Sequence, residues 1–528
     1  MATFSQTGTD VRGGRLIAWV VAALWGLGAF WQPQLGGGGP RLAQAQREAP
    51  PSWDFFIDLP DLRRGLAEVT WTLRGFGPEH PLRVCGDMND AERYVGRIER
   101  LEWNPASAVG EGSWGAGPGP GPQLRGGPGR QQLRRDGRCW RVPDADPRGV
   151  VLRYTYDLRE LAARNGSPDY AQRLGETYIF NDETILLRPD PLPRGGGAPE
   201  PIIRVELRLP PGAQVAAPWQ RQPGPGQRFV MDAAQYDGGG YVMVGTIEDL
   251  GEVRLPHTTV HVVTLPAERR LSAPALRSWV GSALSAVDRF YGSLTPRHVL
   301  VNLVPVPGSQ DASLFGTVLR PLRPSVVIYF GADCERAENP DEWVAVHELF
   351  HIGNPWLTDR MPWFVEGFTT YYQDVLRARA GTVSATATWG DLWDGFRRLC
   401  QPEDGSSLRE ESARLRSSYR YTRVYWGGAC VAFLADIAIR ERSRGRQSLD
   451  DVMRELRVRS LREPLDEDEV LAALDEAAGG KQVSGFLRER RALPVRDRLQ
   501  RLGVEVTGDD SVRLRDDAPL SALRRAMF

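Results

Sequence analysis

The chain has 528 residues, with 66 basic and 67 acidic side chains, so its formal charge is −1 at pH 7. That balance excludes a nucleic-acid binder held by bulk positive charge. With 41% hydrophobic and 25% charged residues the composition is that of a globular protein of several domains, and neither a collagen nor a wholly disordered chain fits.

Arg12 and Arg15 precede an apolar run from Leu16 to Trp31, followed by a Gly/Pro stretch and the small-residue triplet Ala43-Gln44-Ala45. This order reads as a signal peptide. The run is short of the roughly 20 residues that cross a bilayer as a helix, although an uncleaved anchor would use nearly the same sequence. Residues 1–45 are therefore read as a signal peptide or membrane anchor with its linker. The rest of the chain is expected outside the cytoplasm, secreted or periplasmic in a bacterial-type cell envelope, with membrane association only through this segment. Five cysteines are too few for a disulfide scaffold and odd in number, so at least one thiol stays without a partner in the chain. Cys85 and Cys139 flank a Gly/Pro-rich stretch and are a candidate staple across it.

Residues 50–265 carry apolar patterns with a period near two: Val69, Trp71 and Leu73; Val150, Leu152 and Tyr154; Ile203, Val205 and Leu207; Tyr241 to Val244; Val260 to Val263. Half-buried strands have this period, and the Pro/Gly punctuation between them predicts an antiparallel β-sandwich with long loops. Residues 105–130 form a low-complexity insertion within it.

The pattern changes near 266. Ala273 to Tyr291 is amphipathic with a helical period, His298 to Val304 and Ser325 to Phe330 are strand-like, and helices dominate from there. Residues 266–450 are read as a mainly helical catalytic domain, and 451–528 as a C-terminal helical region with a short strand-like tail at Val504 to Val506 and Val512 to Leu514. The fold class is thus α+β and multidomain.

The informative segment runs from 339 to 377. Asn339 is expected to cap a helix, with Pro340 at its first position and Asp341 and Glu342 in its first turn. On that helix His347 and His351 stand four apart on one face, so their imidazoles converge on one ion. A catalytic zinc site wants three N or O ligands and one open position. Glu366 supplies the third from a second helix that Pro362 opens and that runs towards Gly381. The inferred metal set is His347, His351 and Glu366, with Glu348 left for acid–base work and one Zn2+ per chain. Chance predicts roughly 0.004 such matches in this composition.

These residues resemble the gluzincin metallopeptidases, whose pattern is HExxH followed by a WxxEG helix, here Trp363-Phe364-Val365-Glu366-Gly367. Within them the chain is most similar to the glycyl aminopeptidase family, through Trp363 to Tyr372, through Val424-Tyr425-Trp426-Gly427-Gly428 and through Ser448 to Met453; a weaker likeness covers Tyr178 to Asn181 and Leu207 to Pro210. The resemblance implies an N-terminal β domain followed by a thermolysin-like catalytic domain, and it implies that Tyr425 hydrogen-bonds the developing oxyanion. Two departures stand out. The residues after 450 leave no room for the PDZ module of many relatives. The stretch Leu314 to Arg320 contains no acidic residue where related aminopeptidases present a Gly/Glu-rich strand to the substrate's free amine.

The expected activity is hydrolysis of peptide bonds in a peptide or protein substrate, with zinc polarising a water and Glu348 taking its proton. Gln373, Asp374 and Thr370 are candidates for orienting the ligand histidines. The alternatives are a non-peptide hydrolase on the same scaffold, such as one acting on an epoxide, and a non-enzymatic envelope binding protein whose zinc is structural.

Overall fold

Alternation builds the N-terminal half. In the strand Leu66–Arg74, Val69, Trp71 and Leu73 are buried while Glu68 is exposed; in Ile202–Arg208, Ile203, Val205 and Leu207 are buried between more exposed neighbours. The computed structural model describes residues 51–528 except 76–81, 87–97, 106–130, 138, 143–148, 165–170, 191–199, 338–341, 402–403 and 509–510. The expected signal or anchor segment and nearly all of the 105–130 insertion lie outside the described residues.

The largest sheet has eight strands in the spatial order Gln220–Arg221, Gln227–Met231, Ile202–Arg208, Ser52–Asp58, Leu66–Arg74, Val150–Asp157, Ile98–Pro105 and Gln131–Gln132. Phe55 stacks on Trp71 across two of these strands at 4.9 Å, and burial of a side chain such as Phe55 contributes on the order of 2 kcal/mol. One pairing departs from the antiparallel expectation: Ser52–Asp58 runs parallel to Ile202–Arg208. The long intervening chain makes this possible, since only neighbours joined by a tight turn are forced to be antiparallel. Cys85 and Cys139 are disulfide-bonded in a smaller four-stranded sheet.

A five-stranded sheet positions the chemistry. Its order is Glu248–Arg254, Thr259–Thr264, His298–Val306, Ser325–Gly331 and Phe315–Leu319; the three central strands are parallel and the outer two antiparallel. The strand around Val260–Val263, read from sequence as part of the β-rich N-terminal region, belongs to this sheet. Both faces of the sheet are covered, which explains the continuous apolar runs. Val260, Val262, Val301 and Leu303 pack against the helix Ala273–Tyr291, while Val263, Leu300 and Val304 pack against Ile179, Tyr241 and Met243 of the N-terminal half.

Beyond the sheet the chain is helical. The helix Val344–His351 lies against the edge strand Phe315–Leu319 at Gly316, where an added Cβ would come within 2.3 Å of Glu348 Cγ. The helices Pro362–Arg379 and Tyr421–Ser443 also meet through glycines: a Cβ on Gly367 would fall 2.3 Å from Gly428 Cα, so only hydrogen allows this approach. A disulfide between Cys400 and Cys430 ties the end of helix Ala385–Leu399 to Tyr421–Ser443, and Cys334 is buried and free. Tyr421–Ser443 is long and apolar enough to cross a membrane, but it is a core helix, largely buried within the fold. Trp363 donates to Glu467 at 3.0 Å, so the C-terminal region braces the Glu366 helix. The expected tail strands Val504–Val506 and Val512–Leu514 pair antiparallel, and a short helix, Ser521–Arg525, follows them.

Candidate metal and catalytic site

Every residue of the helix Val344–His351 is buried. It starts later than the expected Asn339-Pro340 opening. Its first turn is held by Glu342, whose Oε1 accepts from Ala345 N at 2.8 Å; Asn339, Pro340 and Asp341 lie outside the described residues. A carboxylate reaching its partner from just ahead of the helix satisfies an orphan N–H as a capping side chain does. The helix is followed by a turn through Asn354, and Pro362 opens the next helix as the sequence suggested.

The structure brings His347, His351 and Glu366 together. His347 Nε2 and His351 Nε2 lie 3.3 and 3.4 Å from the same oxygen, Glu366 Oε2, and one potential ligand atom from each residue lies within 4.8 Å of the others. These spacings suit an ion. Ligand atoms about 2.05 Å from a tetrahedral zinc are separated by roughly 3.3 Å. The two nitrogens and one oxygen are also the donor set of a catalytic zinc that keeps its fourth position open.

Each histidine is held from behind. His347 Nδ1 is 2.8 Å from Gln373 Oε1; an amide oxygen only accepts, so this bond puts the proton on Nδ1 and turns the Nε2 lone pair to the cluster. Of the three positioning candidates, Gln373 is the one within hydrogen-bond distance of a ligand-candidate histidine ring. Thr370 instead donates to Glu366 O on its own helix, and Asp374 pairs with Arg377. His351 Nδ1 lies 3.1 Å from the Asn354 amide, whose other end is 3.0 Å from the Tyr291 hydroxyl. Asn354 Nδ2 faces His351 Nδ1 while Asn354 Oδ1 accepts from the Tyr291 hydroxyl, so this amide fixes the orientation of the ring. The one signal for Asn354 in the sequence is an amide placed three residues after the second histidine.

The charges reinforce one another. Burial opposes ionisation of Glu366, yet His351 and His347 outweigh it and hold its carboxyl far below the usual range. Burial likewise disfavours a charged His347, but the bond to Glu366 and the neighbouring Glu348 carboxylate raise its pKa. His351, with less compensation, is lowered by its burial. Glu348 is buried, one position after His347 and outside the trio of ligand atoms. The Tyr425 ring lies parallel to His347 at 6.2 Å. Burial, with Glu366 and Glu348 nearby, drives the pKa of Tyr425 well above its ordinary value, so it remains a proton donor. Its hydroxyl is enclosed and, although Glu366 is a close neighbour, makes no hydrogen bond of normal geometry. An enclosed donor beside the Glu366 carboxylate but without a well-formed bond to it is free to turn to an acceptor that arrives with a ligand.

A family model described as M61 glycyl aminopeptidase matches residues 354–425, a segment that includes Glu366 and Tyr425. Solved structures share the fold. An aminopeptidase N family protein from Idiomarina loihiensis aligns at 16% identity over 86% of this chain and 78% of its own, with a TM-score of 0.66. A mutant M1 zinc metallopeptidase from Deinococcus radiodurans, bound to a Tyr-Ser-Ala substrate, aligns at 16% identity over 85% of this chain and 96% of its own, with a TM-score of 0.51. Native yeast LTA4 hydrolase aligns at 12% identity over 84% and 68%, also with a TM-score of 0.51. No curated protein sequence matches the chain. In residues 354–425 the chain is thus similar to the M61 glycyl aminopeptidases, and its multidomain α+β fold is similar to that of the M1 aminopeptidase structures.

Proposed function

We propose that the chain is an aminopeptidase that cleaves peptide bonds at one zinc held by His347, His351 and Glu366. The observation that carries this reading is the approach of both histidine Nε2 atoms to one Glu366 oxygen, at 3.3 and 3.4 Å, with Glu348 and the Tyr425 hydroxyl beside them. Bound there, zinc supplies Lewis acidity to a water and to the scissile carbonyl.

The chain's own residues supply the rest. Glu348 accepts the proton of the attacking water and returns it to the departing amine nitrogen. Tyr425 donates its hydroxyl proton in a hydrogen bond to the oxygen on which negative charge develops. Gln373 and Asn354 keep the histidine rings aimed, and the low dielectric of the buried cluster strengthens each interaction. The edge strand Phe315–Leu319 offers main-chain groups along which an extended peptide can add as a further strand.

A panel of matched peptides with free and blocked N-termini, assayed before and after chelation and zinc return, tests the reading. Cleavage of free-amine peptides alone, lost on chelation and restored by zinc, is the expected result; equal cleavage of blocked peptides would remove the aminopeptidase assignment. An epoxide in the same panel distinguishes a non-peptide hydrolase. We also place the protein outside the cytoplasm, on the Leu16 to Trp31 run and on its two disulfides, which persist in oxidising compartments. Fractionation of cells expressing the full chain checks this, and recovery in the cytosol would overturn it.

A further inference from the structure

Beyond the end of the helix that carries the histidine ligands lies a small, half-enclosed cavity of about 20 Å3, room for a single small ion or water. Two arginines line it, Arg320 and Arg457, only 8% and 5% exposed. Their recorded partners are all neutral. Arg320 donates to His351 O at 2.5 Å and to Pro355 O at 3.4 Å, and its guanidinium sits 4.9 Å above Trp356. Arg457 donates to the Thr295 hydroxyl at 3.1 Å and lies 4.7 Å above the Tyr291 ring. Arg320 Nε and Arg457 Nη1 are enclosed without any acceptor.

Among the described residues no carboxylate lines the cavity. The acidic groups that act on the two arginines from a distance are engaged elsewhere: Asp288 accepts from Leu294 N, and Glu366 faces the two histidines. Burial, with the charge of Arg457 adding to it, brings Arg320 down to about 10, which leaves it cationic at neutral pH. Two buried like charges facing one cavity, with two N–H groups unsatisfied, are unfavourable unless an anion completes them.

We propose that this cavity binds a small monovalent anion, chloride in the first instance, between Arg320 and Arg457. The position gives it a lever on the metal site. Arg320 holds the carbonyl of His351, and Asn354, also in the cavity wall, holds the ring of His351. An anion that fixes Arg320 therefore steadies one metal ligand from behind, as outer-shell partners of ligands do. The inference does not require the protein to be a peptidase, and its readouts are physical, so it fails or stands separately from the proposed function.

The test exchanges the zinc-loaded full chain into gluconate and titrates chloride or bromide at constant ionic strength. The expected result is a saturable rise in melting temperature of roughly 2 °C or more. Crystals soaked in bromide should show an anomalous peak between the two guanidinium groups. Arg457→Gln should flatten the titration with zinc content unchanged. Because that variant could fold poorly, Leu461→Glu, which places a carboxylate on the cavity wall, provides a second arm and should also abolish the halide response. Identical melting in gluconate and chloride, or no bromide in the cavity, overturns the proposal. So does bromide in the cavity with no thermal shift, which would make it an adventitious ion only. Chloride that competes with peptides bearing a free C-terminal carboxylate, but not with their amides, would assign the cavity to substrate and overturn a free-anion site.

Discussion

Two of the molecule's buried charged clusters, one in each half, are built in opposite ways. In the N-terminal half Arg188 binds Glu183 Oε1 at 2.6 Å and Tyr236 O at 2.8 Å, while Asp182 accepts from Trp219 Nε1 and from Gly240 N. The donors and acceptors of that cluster largely satisfy one another. In the helical half two imidazole nitrogens crowd one carboxylate oxygen, and a tyrosine hydroxyl ends beside them without a bond. Burial alone does not separate structure from function, since both clusters are buried; convergence on a shared point does.

The comparison breaks most sharply at Glu348. Glu348→Gln should retain zinc and lose roughly 10²- to 10⁴-fold in kcat; full turnover in the zinc-loaded variant would falsify its role as proton acceptor. Tyr425→Phe removes only a hydroxyl and should lower kcat by about 10²- to 10³-fold at unchanged melting temperature. Arg188→Met should do the reverse. It strands two carboxylates in the N-terminal half and should lower stability by about 3–5 kcal/mol in denaturant titrations, leaving zinc binding by the folded protein unaltered. If it changed metal affinity instead, the two clusters would not be independent.

Gln373→Leu sharpens the picture at the metal. Loss of the bond to His347 should weaken zinc by about 10- to 100-fold in competition with a chelator. A smaller effect concerns pH. Burial and the charge of Glu183 push Asp182 up to about 7, above the unfolded value near 3.9. The folded state then binds more protons than the unfolded state between about pH 4 and 7, so this group makes stability fall as pH rises through that window. Asp182→Asn, which cannot ionise, should flatten that part of the profile; parallel profiles for the two proteins would count against it.

Much of the site was legible because its ligands are local. His347 and His351 share a helix face by the period of the helix, and Pro362 announces the helix that carries Glu366, so three numbers along the chain locate the metal set. Tyr425 needed the family resemblance, because what delivers it is the Gly367–Gly428 contact between helices distant in sequence. Asn354 gave only the signal of an amide three residues after the second histidine, and the cavity pair Arg320 and Arg457 gave none. In the fold, period two identified the strands Leu66–Arg74 and Ile202–Arg208 but could not say which sheet Thr259–Thr264 joins, since alternation records that a strand has two faces and not what covers them.

What the amino-acid sequence determined by itself was therefore what backbone period and side-chain type set over a few turns: most strands, the helices and the convergence of His347, His351 and Glu366. Only the tertiary structure decided which strand is parallel to which, which amide steadies each histidine, and that two arginines 137 residues apart in sequence face one cavity. These depend on packing between distant segments, where close backbone approach and shared burial select the partner and no local pattern encodes it.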